Sequence, residues 1–396
     1  MGIIKNTVQV LVAGQVKREL GKVITINGSD PWDPQVSNPD AFFEGIATEG
    51  MLGLGDSFVR GDWDVSDIRG FFIRVLNAGL LEMVAGSKTM KLLRKRQTEG
   101  NPQADIKTTI EMLNAHYDMG NILFQEMLRG WLTYTCDIWK NPLVLDDGEN
   151  QVEAQEHKLD LVFRKLQLKP GQRLLDLGAG WGPLAGFAAR RGVEVVAVTP
   201  VPQQVKFIQE TYGPDGVTVL EVDYRNLPRG LAPFDAVAGV GLTEHIGRKN
   251  FGVLMETISR SLKPDGLALL HFFGRTSDDV PLIDPWTEKY IFPGAYLPTL
   301  QEVLNAAEPF FKILDVQEIG RHYDKTLVTW YQNFTEAWKT KIKPVFRGGG
   351  EYPEKFFRMQ IYYLQSAAAA FKTEKLQLWQ IVFKSGDSQR FYESVR

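Results

Sequence analysis

Residues 172–182 read QRLLDLGAGWG: an apolar strand runs into Asp176 and then into Gly178, Gly180 and Gly182. A helical segment, PLAGFAARRG, and a second apolar strand, VEVVAVT, follow directly. Glycines at this spacing let the backbone turn sharply and pass close to a ligand, because no Cβ atoms stand in the way. The stretch therefore predicts the opening β-turn-α-β unit of a nucleotide-type binding domain.

The spacing of the glycines distinguishes this unit from a dinucleotide fold. A dinucleotide site reads G-x-G-x-x-G and carries an acidic residue near the end of the second strand. Here the third glycine comes one residue early, an Asp precedes the first, and the second strand ends in Thr199 and Pro200 without a carboxylate. This form resembles the first motif of class I S-adenosylmethionine-dependent methyltransferases. A glycine-rich turn between packed elements is the alternative, and the order of strand, Asp, glycines, helix and strand disfavours it.

The composition is that of an ordinary globular protein of 396 residues, since 44% of them are hydrophobic and 23% are charged. These values argue against extended disorder, and a net charge of -3 argues against a general nucleic-acid binder. Cys136 is the single cysteine, so no intramolecular disulfide can form and we expect a reducing, cytoplasmic compartment. The N-terminal apolar run is too short and interrupted for a secretory signal or a membrane span, so we expect no part of the chain to cross a membrane.

Two domains are predicted, with a boundary near residue 105. Residues 1–105 combine strand-like runs (TVQVLVAG and KVITING), a glycine-rich turn (GLGDSFVRGDWD) and an amphipathic helix that begins near Ser66. The apolar face of that helix, with Phe71, Phe72 and Leu76, either lies in the core or faces lipid, and we favour the core. A basic run, Lys88 to Arg96, then leads to a Gly-Asn-Pro breaker, which is typical of a linker. The prediction is a smaller N-terminal α+β domain over 1–105 and a larger domain over 106–396.

Strands and helices alternate after the glycine motif, which predicts an α/β fold with a doubly wound, mainly parallel sheet. In such sheets the ligand lies beyond the carboxyl ends of the strands. The candidate site residues are those that end the five successive strands: Asp176 to Gly182, Thr199 with Gln204, Asp223 with Tyr224, Gly241 to Glu244, and His271.

Each of these candidates has a purely structural alternative. Thr199 and Gln204 could bind ribose hydroxyls or simply begin a helix, and Asp223 could accept from an adenine amino group or lie in a surface turn. Glu244 and His245 are adjacent, so we expect only one of them to face the pocket. A lone His in LALLHFFG, His271, is more often a core residue, and Cys136 between aromatic neighbours is also typical of core packing.

Several separate segments carry a more specific signal. They are HYDMGN, YTCDIWK, EAQEHKLDL, LLDLGAGWG, GLTEHIGRKNF, YIFPGAYLP and HYDKTLVTWYQNF, together with the N-terminal GLGDSFVRGDWDVSDIRGFF. In order and spacing they resemble cyclopropane-fatty-acyl-phospholipid synthases, and the resemblance covers nearly the whole chain. It implies that a methylene from S-adenosylmethionine is added across the cis double bond of an unsaturated phospholipid acyl chain, through a carbocation that a bound bicarbonate deprotonates.

The resemblance also assigns residues. It implies a bicarbonate site formed by Cys136, Glu244, His271 and Tyr323. The cofactor-binding residues would be Tyr117, Tyr134, Thr135, Asp176, Gly178, Gly180, Gly182, Thr199, Gln204 and Asp223. No metal is expected. Water would quench a carbocation, so a dry site is required, and aromatic faces such as Tyr296, Trp330 and Phe273 could stabilise the charge if they line the pocket.

Three residues depart from the family pattern. Ala179 stands where the family usually has Cys, and cofactor binding should survive this change because the neighbouring glycines remain. Thr243 replaces the Phe before the acid and Phe273 replaces a smaller residue, and these two changes alter the pocket wall near the base. They leave the product open between a cyclopropane ring and a methylene- or methyl-branched chain. A catalytically inactive lipid-binding protein is the alternative outside enzymes. The basic run Lys88 to Arg96 is either a contact for anionic lipid head groups or a solvated linker. We expect a peripheral membrane enzyme, and the resemblance suggests a homodimer.

Overall fold

The computed structural model describes residues 17–79, 105–117, 121–231, 233–276, 284–345 and 350–396, without the side chains of 113–117. The strands are β1 Gln35–Val36, β2 Trp63–Asp64, β3 Arg173–Leu177, β4 Glu194–Thr199, β5 Thr218–Glu221, β6 Phe234–Val240, β7 Leu262–Arg275, β8 Phe311–Glu318 and β9 Leu376–Ser385. The α-helices are α1 Pro39–Glu49, α2 Met51–Arg60, α3 Ile68–Asn77, α4 Ile106–Tyr117, α5 Asn121–Leu128, α6 Gln151–Lys165, α7 Pro183–Ala189, α8 Pro202–Tyr212, α9 Phe251–Ser261, α10 Pro285–Tyr290, α11 Leu300–Ala307, α12 Arg321–Ala337 and α13 Glu354–Lys372.

The large sheet has the strand order β5-β4-β3-β6-β7-β9-β8. The first five strands of that order are parallel, and β9 runs antiparallel to both of its neighbours. The predicted α/β class with a mainly parallel, doubly wound sheet is confirmed. The chain moves from β3 to β4 on one side and later returns to β6 on the other, so a crevice opens at the carboxyl ends of β3 and β6.

The far edge of the sheet differs from the prediction. Strands β8 and β9 were not expected, and β7 is 14 residues long. His271 therefore lies within β7, between Val240 on β6 and Gln380 on β9, and not at the end of the strand. The antiparallel partner β9 supports β7 beyond the point where the parallel pairing stops, which carries the strand past His271 to Arg275.

The N-terminal region is more helical than the sequence predicts. The run KVITING forms turns, and GLGDSFVR belongs to α2. Gly53 is needed there because a Cβ atom would lie 2.1 Å from the carbonyl oxygen of Gly45, where α1 and α2 cross. The predicted turn was wrong because glycines at a close helix crossing look like turn residues. The helix predicted near Ser66 is α3, whose N-cap is Asp67.

Residues 17–79 pack against the C-terminal helices. The rings of Phe58 and Phe72 lie 5.4 and 5.2 Å from the ring of Tyr362 on α13. Arg69 donates two hydrogen bonds, of 2.7 and 2.6 Å, to the carboxylate of Asp324 on α12. The two-domain division stays a prediction, because the boundary near 105 adjoins residues 80–104, which lie outside the described residues together with the basic run Lys88 to Arg96. Along the described ranges, no helix is long and apolar enough to cross a membrane.

Candidate active site

Three adjoining cavities lie along the carboxyl edge of the sheet. The outer cavity, about 570 Å³, is bordered by β4, β5 and the loops that follow them, including Thr199, Gln204 and Asp223. The polar cavity, about 940 Å³, is bordered by the glycine loop and by β7. The apolar cavity, about 960 Å³, lies between α13 and the N-terminal helices. The outer and polar cavities share Gly178, Gly180, Gly241 and His245. The polar and apolar cavities share Glu244, His245, Phe273, Phe292, Tyr323 and Tyr363.

The glycine loop separates β3 from the N-terminus of α7. Gly178, Gly180 and Gly182 have φ values of 72°, 58° and 79°, a region that residues with a Cβ atom rarely adopt. Gly178 and Gly180 border both the outer and the polar cavity. Gly182 borders neither, and a Cβ atom there would lie 2.8 Å from Cγ1 of Ile208. A glycine at this position is therefore explained by close packing against α8.

The outer cavity presents hydroxyl, amide and carboxylate groups. The Thr199 hydroxyl donates to Oε1 of Gln204 over 2.6 Å, so the two side chains are fixed against each other. The carboxylate of Asp223 accepts from Nε and Nη2 of Arg225 over 2.7 and 2.9 Å. Arg225 therefore neutralises this carboxylate, while Asp223 still borders the cavity. The arrangement can bind a neutral polar ligand such as a nucleoside.

The inner wall of the polar cavity holds charges of both signs. Asp176 is buried, its Oδ2 has no hydrogen-bond partner, and burial raises the pKa of its carboxyl to about 7. Lys158 on α6 donates to the hydroxyl of Thr135 over 2.7 Å, and burial lowers the pKa of its ammonium to about 8. Asp176, Lys158 and Thr135 all border the cavity. An unpartnered buried atom is costly unless a ligand satisfies it.

Two further unpartnered atoms belong to Glu244, which borders both the polar and the apolar cavity, and to His271, which borders the polar cavity. Glu244 accepts from the Phe273 N–H through Oε1 over 2.8 Å, and its Oε2 has no partner. His271 contacts the Gln380 amide nitrogen through Nδ1 over 3.2 Å, and its Nε2 has no partner. Burial raises the pKa of Glu244 to about 7 and lowers the pKa of His271 far enough that its imidazole is neutral at pH 7. Tyr323 borders both cavities beside them.

Cys136 does not lie where the resemblance places it, and Tyr117 is not tested. Cys136 is fully buried, does not border the cavities described here, and directs its Sγ to the carbonyl oxygen of Asp137 over 3.3 Å. Tyr117 ends α4, and its side chain lies outside the described residues. The expectation that only one of Glu244 and His245 faces the pocket was wrong. Both border the polar cavity, because they occupy a tight 3-10 turn, Thr243–His245, at its edge.

Aromatic rings surround the junction. Phe273, Phe292, Tyr323 and Tyr363 border both cavities, and Tyr134 and Trp181 border the polar one. The two other aromatics that we considered lie elsewhere. Tyr296 donates through its hydroxyl to Glu302 over 2.7 Å. Trp330 packs behind Tyr134 and Tyr323, with ring separations of 5.2 and 5.9 Å.

The apolar cavity runs from this junction to the N-terminal helices. Met51 on α2 and Phe72 and Leu76 on α3 border it together with Ala367 and Ala370 on α13. Phe72 and Leu76 are buried, as expected for core residues. They also form one wall of this apolar cavity.

The sequence reasoning missed several cavity residues. Lys158 lies within the segment EAQEHKLDL, and Phe292 within YIFPGAYLP, so both had a signal in the motifs already quoted. Tyr363 on α13, and Gln380 on β9, which contacts His271 but does not border the cavities described here, had none, because both belong to C-terminal elements that the motifs do not cover.

Known proteins share this arrangement of sequence and fold. A family model described as mycolic acid cyclopropane synthetase matches residues 104–381. The chain belongs to this family of S-adenosylmethionine-dependent methyltransferases. The resemblance found in the sequence is thereby confirmed.

Individual relatives narrow the comparison. The chain is 40% identical to cyclopropane-fatty-acyl-phospholipid synthase of Escherichia coli strain K12, over 92% of this chain and 90% of the relative. It is 30% identical to a probable fatty acid methyltransferase of Pseudomonas putida, over 84% and 82% of the two chains. Among solved structures, the chain is similar to a mycolic acid cyclopropane synthase complexed with SAH and CTAB, with 25% sequence identity and a TM-score of 0.61. The match covers 69% of this chain and 97% of that structure's chain.

Proposed function

We propose that this enzyme adds a methylene group from S-adenosylmethionine across the cis double bond of an unsaturated phospholipid acyl chain and so forms a cyclopropane ring. The observation that carries the proposal is the junction at Glu244, Phe273 and Tyr323, where a cavity that holds several polar and charged groups meets one lined mostly with apolar groups. A charged methyl donor and a hydrocarbon chain can meet only at such a boundary. The similarity to the Escherichia coli synthase supports the same substrate class.

The outer and polar cavities fit S-adenosylmethionine. Thr199, Gln204 and Asp223 would face the nucleoside, and Gly178 and Gly180 would let the backbone approach it. Tyr134, Thr135 and Asp176 border the polar cavity, where the amino-acid end would lie. The bound cofactor supplies an electrophilic methyl group on a sulfonium. Tyr117 and Gly182 remain predicted contacts on the resemblance alone.

The apolar cavity would hold the acyl chain and exclude water from the reacting carbons. When the alkene takes the methyl group, positive charge develops on the chain, and closing the ring requires the loss of one proton from the former methyl. The rings of Phe273, Phe292 and Tyr323 border this space and would stabilise the charge. Excluding water prevents its addition to the cation.

The proton requires a base, and the junction residues fit a bound bicarbonate that would supply one. Neutral His271 with Gln380 donating to Nδ1 carries its hydrogen on Nε2, the atom without a partner. Glu244, with its pKa raised to about 7, can keep its proton beside an anion and donate through Oε2. The Tyr323 hydroxyl would be a third donor. Cys136 does not border the cavity, so its part in this site rests on the resemblance alone.

We further propose that the enzyme works peripherally at the cytoplasmic face of a membrane, as a homodimer, with residues 1–105 as the lipid-associated part. The apolar wall formed by Phe72 and Leu76 supports a role of this region in holding lipid. The substrate also stays in the bilayer, so the enzyme must reach it there.

The test is transfer of a labelled methyl group from S-adenosylmethionine to vesicles of unsaturated phospholipid, with and without added bicarbonate. Wild-type protein should label the lipid, more strongly with bicarbonate. His271→Ala should nearly abolish turnover and leave cofactor affinity within about twofold, because the proposal assigns its unpartnered Nε2 to the bicarbonate and not to the cofactor. His157→Ala, on the half-exposed surface of α6, is the control and should keep full activity. Full activity of His271→Ala would refute the base site, and no labelling by the wild type would refute the enzymatic proposal.

A further inference from the structure

Lys158 is an unusual residue on α6. Its side chain is only 2% exposed, although lysine is almost never fully buried without a charged partner. Its Nζ donates to the Thr135 hydroxyl, and within the ranges that the structure describes it forms no ion pair. One ammonium group therefore lies in the wall of the polar cavity with donor hydrogens to spare.

A second buried lysine on the same helix has a direct partner. Lys165, two turns further along α6, is also fully buried, but its Nζ lies 3.4 Å from the carboxylate of Asp315 on β8. Arg396 also donates to that carboxylate, over 2.7 Å. Lys165 belongs to an ionic cluster with Asp315 and Arg396 and does not border the cavities, whereas Lys158 borders the polar cavity.

Two buried carboxyl groups act on the charge of Lys158: Asp137, which does not border the polar cavity, and Asp176, which does. The Oδ2 atom of Asp176 is buried and unpartnered, and Asp176 does not form an ion pair with Lys158. A cation and an anion that share one cavity without direct contact match a zwitterion, which would satisfy both. The amino-acid end of S-adenosylmethionine is such a zwitterion, with an ammonium and a carboxylate on one carbon.

We infer that Lys158 is the counter-ion for the carboxylate of the bound S-adenosylmethionine, acting together with the Thr135 hydroxyl. Because Thr135 accepts from Lys158, its own hydrogen is free to donate to the same carboxylate. Asp176 would take the ammonium group at the other side of the cavity. This inference concerns the methyl donor and holds whether the lipid product is a ring or a branch, so its failure and that of the proposed product are separate results.

The experiment removes the charge from the protein and from the ligand in turn. Calorimetric titration would measure the affinities of wild type, Lys158→Met and Lys165→Met for S-adenosylmethionine, decarboxylated S-adenosylmethionine and 5′-methylthioadenosine. The wild type should bind the decarboxylated compound about 10- to 100-fold more weakly, the range for a hydrogen bond to a charged group. Lys158→Met should weaken the binding of S-adenosylmethionine by a similar factor and the binding of the decarboxylated compound by less than about threefold. Lys165→Met should preserve the wild-type preference.

Two results would overturn the inference. One is an equal affinity of the wild type for S-adenosylmethionine and its decarboxylated form, and the other is an equal loss of affinity for both compounds in Lys158→Met. Binding of 5′-methylthioadenosine, which lacks the amino-acid end, reports whether a variant keeps its nucleoside site. If Lys158→Met loses that binding, Lys158→Gln replaces it. The wild-type comparison of the two donors can refute the inference without any variant.

Discussion

Replacing Glu244 with glutamine should make the protein more stable above pH 7. Burial raises the pKa of Glu244 from its ordinary value of 4.5 to about 7. The unfolded chain loses this proton near pH 4.5 and the folded chain holds it until about pH 7. Between these values the folded state binds more protons, so the free energy of unfolding falls as the pH rises. Each pKa unit corresponds to about 1.4 kcal/mol, so the full penalty above pH 7 is about 3 kcal/mol.

Glutamine removes that penalty and keeps the local structure. Its amide oxygen can still accept from the Phe273 N–H, the bond that is 2.8 Å long in the wild type. The penalty in the wild type is about 1.4 kcal/mol at pH 5.5 and about 3 kcal/mol at pH 8, so the advantage of Glu244→Gln should grow by about 2 kcal/mol between them. The glutamine NH₂ group can donate to the anion in place of the Oε2 hydroxyl, so the anion site keeps a donor at this position.

Urea unfolding at pH 5.5 and pH 8 measures this difference directly. Glu210→Gln, on the exposed face of α8, is the control and should follow the wild-type pH dependence. If Glu244→Gln unfolds with the same pH dependence as the wild type, the carboxyl does not carry the penalty that its burial implies. The electrostatic reasoning for the junction would then be refuted.

Two further substitutions test the loop and the apolar cavity. Gly182→Ala should lower the free energy of unfolding by about 2–5 kcal/mol, because of its left-handed backbone and the overlap with Ile208. Gly216→Ala, with a φ of 91° and open space around it, should lower it by about 1–2 kcal/mol. Equal losses of the two variants in thermal unfolding would contradict this reasoning. Leu76→Ala should cost about 2–5 kcal/mol and shift preference toward longer acyl chains, measured by gas chromatography of products from mixed vesicles. Leu54→Ala, equally buried but away from the cavity, should lose stability without that shift, and an unchanged preference in Leu76→Ala would refute the role of this wall.

The sequence predicts the centre of the fold better than its edges. The glycine motif and the alternation of strands and helices predict the parallel strands, because hydrophobic periodicity and turn-forming residues are signals that a short stretch of sequence carries. The helix at 53–60 was misread because the contact of Gly53 with Gly45 depends on how two helices cross. Strand β9 was missed because it pairs with β7, a partner more than a hundred residues away.

The candidate site shows the same division. Strand ends bring Asp176, Thr199 and Glu244 to one edge of the sheet, as parallel topology requires. Tyr323 joins Glu244 only because α12 packs across that edge, and the family resemblance identified it where spacing could not. A lysine is expected on a surface, so the burial of Lys158 was not predictable from residue type. The roles of these residues stay predictions.

Proton NMR of the product lipid is the most direct test of the central claim. The lipid would be extracted after reaction of purified enzyme with S-adenosylmethionine and vesicles whose acyl chains carry one cis double bond. Mass alone cannot decide, because a ring and a methylene branch both add CH₂. Ring closure predicts high-field cyclopropane signals that grow as the olefinic signals of the substrate disappear. A product that carries the added carbon but shows no high-field signals would contradict cyclopropane formation.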